Sequence, residues 1–164
     1  MASSDTLAIF TALHNEPPTS TDAATLDVRN LHHVLDFDGS AAESAVFRSV
    51  MPRNYGGNGT TVYIHYAMSA AASGDIDWDA AWERIGDGVQ NLDTDGFAAV
   101  NSVDTTTVPG TAGLVDIVNI TFTDGADMAS VAVGESYRLK ITRDAPNDSA
   151  TGDAELVAVE IKET

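Results

Sequence analysis

The sequence predicts an all-β fold: an eight-stranded, two-sheet antiparallel sandwich of jelly-roll topology with an N-terminal arm. Three observations predict it. Apolar residues recur with period two rather than every three or four positions, the pattern of strands with one buried face. The alternating runs are cut at short intervals by clusters of Gly, Pro, Asn and Asp. Eight such runs fit in one chain of 164 residues, and eight strands form the two Greek keys of a jelly roll.

In chain order, Met1 to Asp22 comes first, with Ser/Thr-rich ends, a short apolar patch from Leu7 to Leu13, and the stiff Glu16-Pro17-Pro18. It reads as an arm with one strand-like patch and then a linker, so residues 1–24 are assigned to the arm and 25–164 to the sandwich. The first strands of the sandwich are Leu31 to Asp38 and Ala45 to Met51. Thr61 to Met68 is the cleanest, with Val62, Ile64, Tyr66 and Met68 on one face and Tyr63, His65 and Ala67 on the other. Gly74 to Ile85 sends Ile76, Trp78, Ala80 and Trp82 inward and Asp77, Asp79 and Glu83 outward, which makes both tryptophans core residues. Phe97 to Val103, Leu114 to Thr123, Ser136 to Asp144 and Glu155 to Lys162 complete the set, each enriched in β-branched or aromatic residues. Ala126 to Val133 is expected to form one helical turn.

Size scaling gives a chain of this mass a folded surface of roughly 7,800 Å², so about two thirds of the unfolded surface is buried. With 25 Asp+Glu against 8 Lys+Arg and a formal charge of -17, the surface repels phosphate backbones, which argues against a nucleic-acid partner. The acid-rich, lysine-poor balance suits salty surroundings. Zero cysteines remove disulfides, thiolate metal sites and thiol nucleophiles together. The apolar patch near the start is short, broken by Thr11 and preceded by no basic residue, so neither a signal peptide nor a membrane span is expected. At 43% hydrophobic and 20% charged, the chain is too apolar to remain disordered.

No catalytic constellation stands out. A G-x-S-x-G elbow is missing, and Ser149 lacks the strand-turn-helix setting of an exposed nucleophile. His32 and His33 are adjacent in a strand and point to opposite faces, His65 is separate, and His14 sits on the arm, so no metal-ligand spacing arises. Asp36/Asp38, Asp75/Asp77/Asp79 and Asp93/Asp95 have the spacing that hard cations favour, but none completes a calcium loop, and chance pairs are expected among so many acids. Neither a cofactor nor a metal is therefore expected, nor an enzymatic activity. Three N-x-S/T sequons, at Asn58, Asn119 and Asn147, matter only in a secreted eukaryotic protein, for which nothing argues. The loop from Pro52 to Gly59 has the most unusual composition, but its glycines lack phosphate-loop spacing and no helix follows. Either Arg53 and Tyr55 are binding contacts, or the loop is a Gly-rich connection whose Tyr55 packs back on the sandwich.

A resemblance enters through particular segments: Leu26 to Asn30, Val34 to Asp38, Glu43 to Phe47, Met51-Pro52-Arg53-Asn54-Tyr55, Gly59 to His65, Trp78, R-L-K-I-T-R-D from Arg138 to Asp144, and A-E-L-V-A-V-E from Ala154 to Glu160. Over Leu26 to Glu163 the chain resembles small jelly-roll virion proteins of tailed bacteriophages of aquatic bacteria. The resemblance implies a capsid decoration or cement protein, a homotrimer on the virion surface, bound to the major capsid protein and carrying no catalytic residues. Leu7, Ile9, Phe10 and Leu13, with Arg53 and Tyr55, are the expected interface. The four apolar side chains can add a strand or fill a groove on a neighbour, at ~1.5 to 3 kcal/mol each before ordering costs, or fold onto their own sandwich. Such an oligomer should be favoured by salt, which screens its acidic subunits. The alternative is a carbohydrate- or receptor-binding jelly roll of a fibre or tail accessory protein, in which Tyr55, Tyr63 or calcium-loaded acidic turns hold a sugar.

Overall fold

The computed structural model describes residues 5–19, 21–70 and 73–164. Its strands are β1 (Thr6–Thr11), β2 (Thr25–Arg29), β3 (His32–Phe37), β4 (Glu43–Val50), β5 (Thr60–Met68), β6 (Asp75–Ile85), β7 (Asn101–Thr107), β8 (Val115–Phe122), β9 (Ser136–Arg143) and β10 (Ala154–Glu163). The last eight correspond to the expected runs, although β7 begins at Asn101 rather than Phe97. The expected helical turn is a short 3₁₀ segment, Ala126–Met128.

The strands form two antiparallel sheets. The larger runs β2-β3-β10-β5-β8, with β1 also paired to β10, and the smaller runs β4-β9-β6-β7. Numbered from one to eight starting at β3, the expected strands stand in the orders 1-8-3-6 and 2-7-4-5, the jelly-roll arrangement of two interleaved Greek keys. Between the sheets lies an aromatic core: Phe37 and Tyr66 meet Trp78 edge-on at 5.1 and 5.5 Å, and Trp82 lies 4.7 Å from Tyr137. The accessible surface of 7781 Å² equals that expected from chain mass.

Two strands exceed the expected eight, and both have a physical reason. On one side of β10, β3 pairs only with Ala154, Glu155 and Leu156, which leaves the rest of that edge open. Unpaired backbone groups beside a core are costly, and β1 satisfies them from Thr6↔Lys162 to Thr11↔Ala158. Phe10 thereby turns inward and stacks on Phe47 at 5.2 Å. The following segment then covers the outer edge of β4: Glu16 N–H donates to the Val46 carbonyl at 2.7 Å, and Ala24 N–H to that of Ser44 at 3.0 Å. The expectation of a separate arm is thus corrected, because this stretch closes two sheet edges of its own domain. β2 and β3 form a hairpin through Asn30 and Leu31, both at positive φ (45° and 68°). A two-residue turn of this kind favours Asn-Gly, and the 90% exposed Leu31 occupies the glycine place at a steric cost.

A second correction concerns β6. Asp77 and Glu83 do leave the core, yet they are only 8% and 3% exposed. Asp77 accepts a hydrogen bond from the Thr105 amide, and Thr105 lies at positive φ where β7 bulges opposite β6. Glu83 is ion-paired with Arg138. Over the same face, the Phe97 ring lies 5.1 Å from the Arg138 guanidinium and 4.9 Å from the Lys140 ammonium.

The final long loop is pinned by Arg143, which is fully buried. Its Nε donates to Asp148 at 2.8 Å, Nη1 to the Gly152 carbonyl at 2.7 Å and Nη2 to the Ala150 carbonyl at 2.8 Å. A buried guanidinium requires such a set of partners, and this one ties residues 148–152 to β9.

Candidate functional site

The outer face of the larger sheet is the best-formed candidate surface. Register places its side chains in four rows across the strands. Thr6, Lys162, Thr61 and Thr121 form one row; Ile9, Glu160, Tyr63 and Asn119 the next; Thr11, Ala158, His65 and Ile117 the third. The fourth consists of Asp36, Glu155, Ala67 and Val115. Tyr63 and His65 are half-buried at the centre, and Asn119, Thr121 and Ile117 beside them are exposed. Among the described residues the Tyr63 hydroxyl, the His65 ring nitrogens, the Asn119 amide and the Lys162 ammonium have no side-chain partner, while Glu160 accepts from Thr6 at 2.6 Å. An aromatic ring with uncommitted donors and acceptors around it can stack on a ligand and hydrogen-bond it at once.

At one end this face is overhung by the β2–β3 hairpin. Arg29 reaches across to donate Nη1 to the Met68 carbonyl at 3.2 Å and is ion-paired with Glu155. Beneath it lies a cleft of about 320 Å³ lined by Arg29, His32, Val34, Ala67, Val115 and Val157. The floor is shaped by a bulge in β10, where Val157 is skipped between Leu156↔Tyr66 and Ala158↔His65. Beside the cleft, Asp36 is pushed up to about 6, first by burial and then by Asp153, Glu155, Asp27 and Glu43.

A second cavity, about 390 Å³, opens at a loop end between Tyr55, Gly57, Asp124, Gly125, Ser130 and Val133. Its strongest polar groups are already committed to each other. The Tyr55 hydroxyl donates to Asp124 at 2.8 Å and accepts from the Gly59 amide at 2.9 Å. Burial and that carboxylate raise the Tyr55 hydroxyl well above the ordinary tyrosine range.

The expected interface residues therefore divide. Tyr55 packs back on the sandwich, the second of the two readings of its loop, and Phe10 folds into its own core, so the interface expectation is corrected for these two. Leu7 packs against the core from a bulge in β1, whereas Ile9, Leu13 and Arg53 remain exposed. Strand addition at the outer edges of the larger sheet is opposed locally. The Val28 amide of β2 is capped by Asp27 at 2.7 Å, and the Ile117 amide of β8 by Asp116 at 2.9 Å. The cleft residues Arg29 and Glu155 escape a reading of the sequence alone, because β2 carries no Asn-Gly turn signal and Glu155 looks like one more surface acid. Among the described residues, no group of three or more His, Asp or Glu side chains is placed to hold a metal ion.

No family model matches the chain, and no curated protein does either. Solved structures do share its fold. A family 35 carbohydrate-binding module from an environmental isolate superposes with a TM-score of 0.54 at 10% identity, over 94% of this chain and 92% of that one. The CBM22-1 xylan-binding domain of Paenibacillus barcinonensis Xyn10C gives 0.53 at 12% identity, over 99% and 97%. The insecticidal delta-endotoxin Cry8Ea1 of Bacillus thuringiensis gives 0.53 at 15% identity, covering 99% of this chain but 25% of the toxin. At such identities the likeness establishes the fold alone.

Proposed function

We propose that this domain is a non-catalytic carbohydrate-binding module that lays a glycan across the outer face of its larger sheet. The observation that carries the reading is the placement of Tyr63, half-exposed at the centre of that face, with His65, Asn119, Thr121 and Lys162 around it. The tyrosine ring supplies an apolar platform for a sugar face, and the surrounding groups supply directional hydrogen bonds. Two of the fold neighbours are carbohydrate-binding modules, which supports the reading by analogy only. Tyr63→Ala is expected to weaken binding to an oligosaccharide found on a glycan array at least tenfold, about 1.4 kcal/mol, while leaving the fold intact. Equal affinity of the two proteins by titration calorimetry would refute it.

A second reading is a capsid decoration protein, a homo-oligomer seated on the major capsid protein. Its support is the exposure of Ile9 and Leu13 near the edge that β1 presents. It expects a sedimentation coefficient above that of a monomer, restored to the monomer value by Ile9→Asp with Leu13→Asp. A wild-type monomer across salt concentrations removes its self-association.

A further inference from the structure

We propose that the cleft beneath the β2–β3 hairpin reads the terminal unit of an uncharged glycan, so that the chain is recognised from its end rather than along its interior. This rests on the reading of the open face as a sugar-binding surface.

The open face is not a through-groove. Arg29 crosses one end of it, from β2 to the carbonyl of Met68 at the end of β5, and it lies against Gly113, where a Cβ would come within 2.9 Å of Nη2. A polymer running along β5 past Tyr63, His65 and Ala67 therefore meets the guanidinium and stops. From Tyr63 to Ala67 is about 13 Å at ~3.3 Å per residue, so a short oligosaccharide can rest on the tyrosine and still place its last unit in the cleft. The cleft volume of about 320 Å³ falls at the lower end for small-ligand sites, which suits a terminal unit better than a passing chain.

The chemistry of the closed end points the same way. Arg29 spends Nη1 on Met68 and Glu155. Among the described residues its Nε and Nη2 make no hydrogen bond, and neither does the His32 ring or the Asn30 side-chain amide. These are free polar groups at the point where a chain end presents its extra hydroxyl. Charge selects against acidic sugars, because Glu155 already neutralises Arg29, Asp36 and Asp27 stand nearby, and the chain as a whole carries -17.

The test uses the full chain and calorimetric titration with xylohexaose, mannohexaose, cellohexaose, maltohexaose and trigalacturonate. Each neutral sugar is offered unmodified, with its reducing end reduced to the alditol, and with its non-reducing end blocked. A neutral hexasaccharide is expected to bind, one of its two end-modified forms to bind at least tenfold more weakly, and trigalacturonate not to bind. His32→Trp, which fills the cleft from an exposed position, is expected to weaken the unmodified sugar at least tenfold. If both end-modified forms stay within twofold while Tyr63→Ala abolishes binding, end recognition is overturned whatever His32→Trp does, and the sugar-binding face stands. If end modification matters but His32→Trp does not, the end is read elsewhere and the cleft assignment is overturned. Tighter binding of trigalacturonate overturns the preference for uncharged sugars. Failure of every sugar to bind, or binding indifferent to Tyr63→Ala, overturns the sugar-binding face itself and this inference with it.

Discussion

The two outer faces of the sandwich obey one alternation and end in opposite states. On β6, Asp77, Asp79 and Glu83 leave the core; on β5, Thr61, Tyr63 and His65 do the same. The smaller sheet's face is then covered by the segment between β6 and β7, with Phe97 over Arg138 and Lys140 and the Ala98 amide bonded to the Trp82 carbonyl at 2.8 Å. Asp77 and Glu83 are buried and Asp79 is half-buried, and each finds a partner: Thr105 for Asp77, Ser102 for Asp79 and Arg138 for Glu83. Burial raises the Asp79 carboxyl above its usual range, with the Ser102 hydrogen bond opposing it. Among the described residues, only the β2–β3 hairpin overhangs the larger sheet's face, at one end, and the central ring and polar groups keep their bonding capacity. Alternation thus selects the side chains that leave the core, but it does not decide whether they meet water. Covered charges must be paired, whereas uncovered aromatic surface is available to a ligand.

The largest test of that contrast is a matched pair of substitutions. Glu83→Ala strands the Arg138 guanidinium under Phe97 and is expected to cost roughly 3 kcal/mol, whereas Glu160→Ala on the open face is expected to cost less than about 0.5 kcal/mol. Urea midpoints at unchanged slope measure both, and equal losses would erase the distinction between the faces. A smaller effect is expected from Phe97→Ala, which removes two cation contacts and the ring that shields them, for a loss of about 1 to 2 kcal/mol. A thermal midpoint unchanged within error would mean that the segment does not cover the sheet in solution.

The smallest effect lies at the margin of the open face. Folded Asp36 titrates near 6 against an unfolded value of 3.8, so between these values the folded chain holds a proton that the unfolded chain has released. Its contribution to stability is therefore greatest below the unfolded value and is lost as pH rises through about 6. Asp36→Asn is expected to stabilise the domain by about 1 kcal/mol above pH 6, after allowing for solvent screening, and to do nothing near pH 4. Melting curves of the two proteins at pH 4 and 7.5 decide it. A gain at pH 4 as large as that at pH 7.5 would place the cause outside this carboxyl.

How far the sequence could be read follows from the range of each interaction. The eight runs of the jelly roll were visible because alternation and turn residues are local properties. The same alternation assigns both tryptophans to the core and Tyr63 to the opposite side of its strand from Val62 and Ile64. Of the two further strands, β1 shows in the sequence as a strand-like patch without its pairing partner, and β2 does not show. β1 is a strand only because β3 leaves half of β10's edge unpaired, and β2 depends on a hairpin whose turn places a leucine where glycine is usual. The open face was half legible: Tyr63 could be named, but Arg29 enters it only through the hairpin's curl over Met68 and Gly113.

Composition and alternation by themselves determined the all-β class, the number of jelly-roll strands, the inward set led by Trp78 and Trp82, and a net charge of -17. These follow from local backbone geometry and total charge, which need no partner to be specified. Tertiary structure alone decided that Phe10 and Tyr55 turn inward, that Asp77 and Glu83 are covered, and that the face around Tyr63 stays open with Arg29 closing its end. Each of these depends on two segments far apart in sequence meeting, and a one-dimensional pattern fixes the side a residue faces without fixing what arrives to meet it.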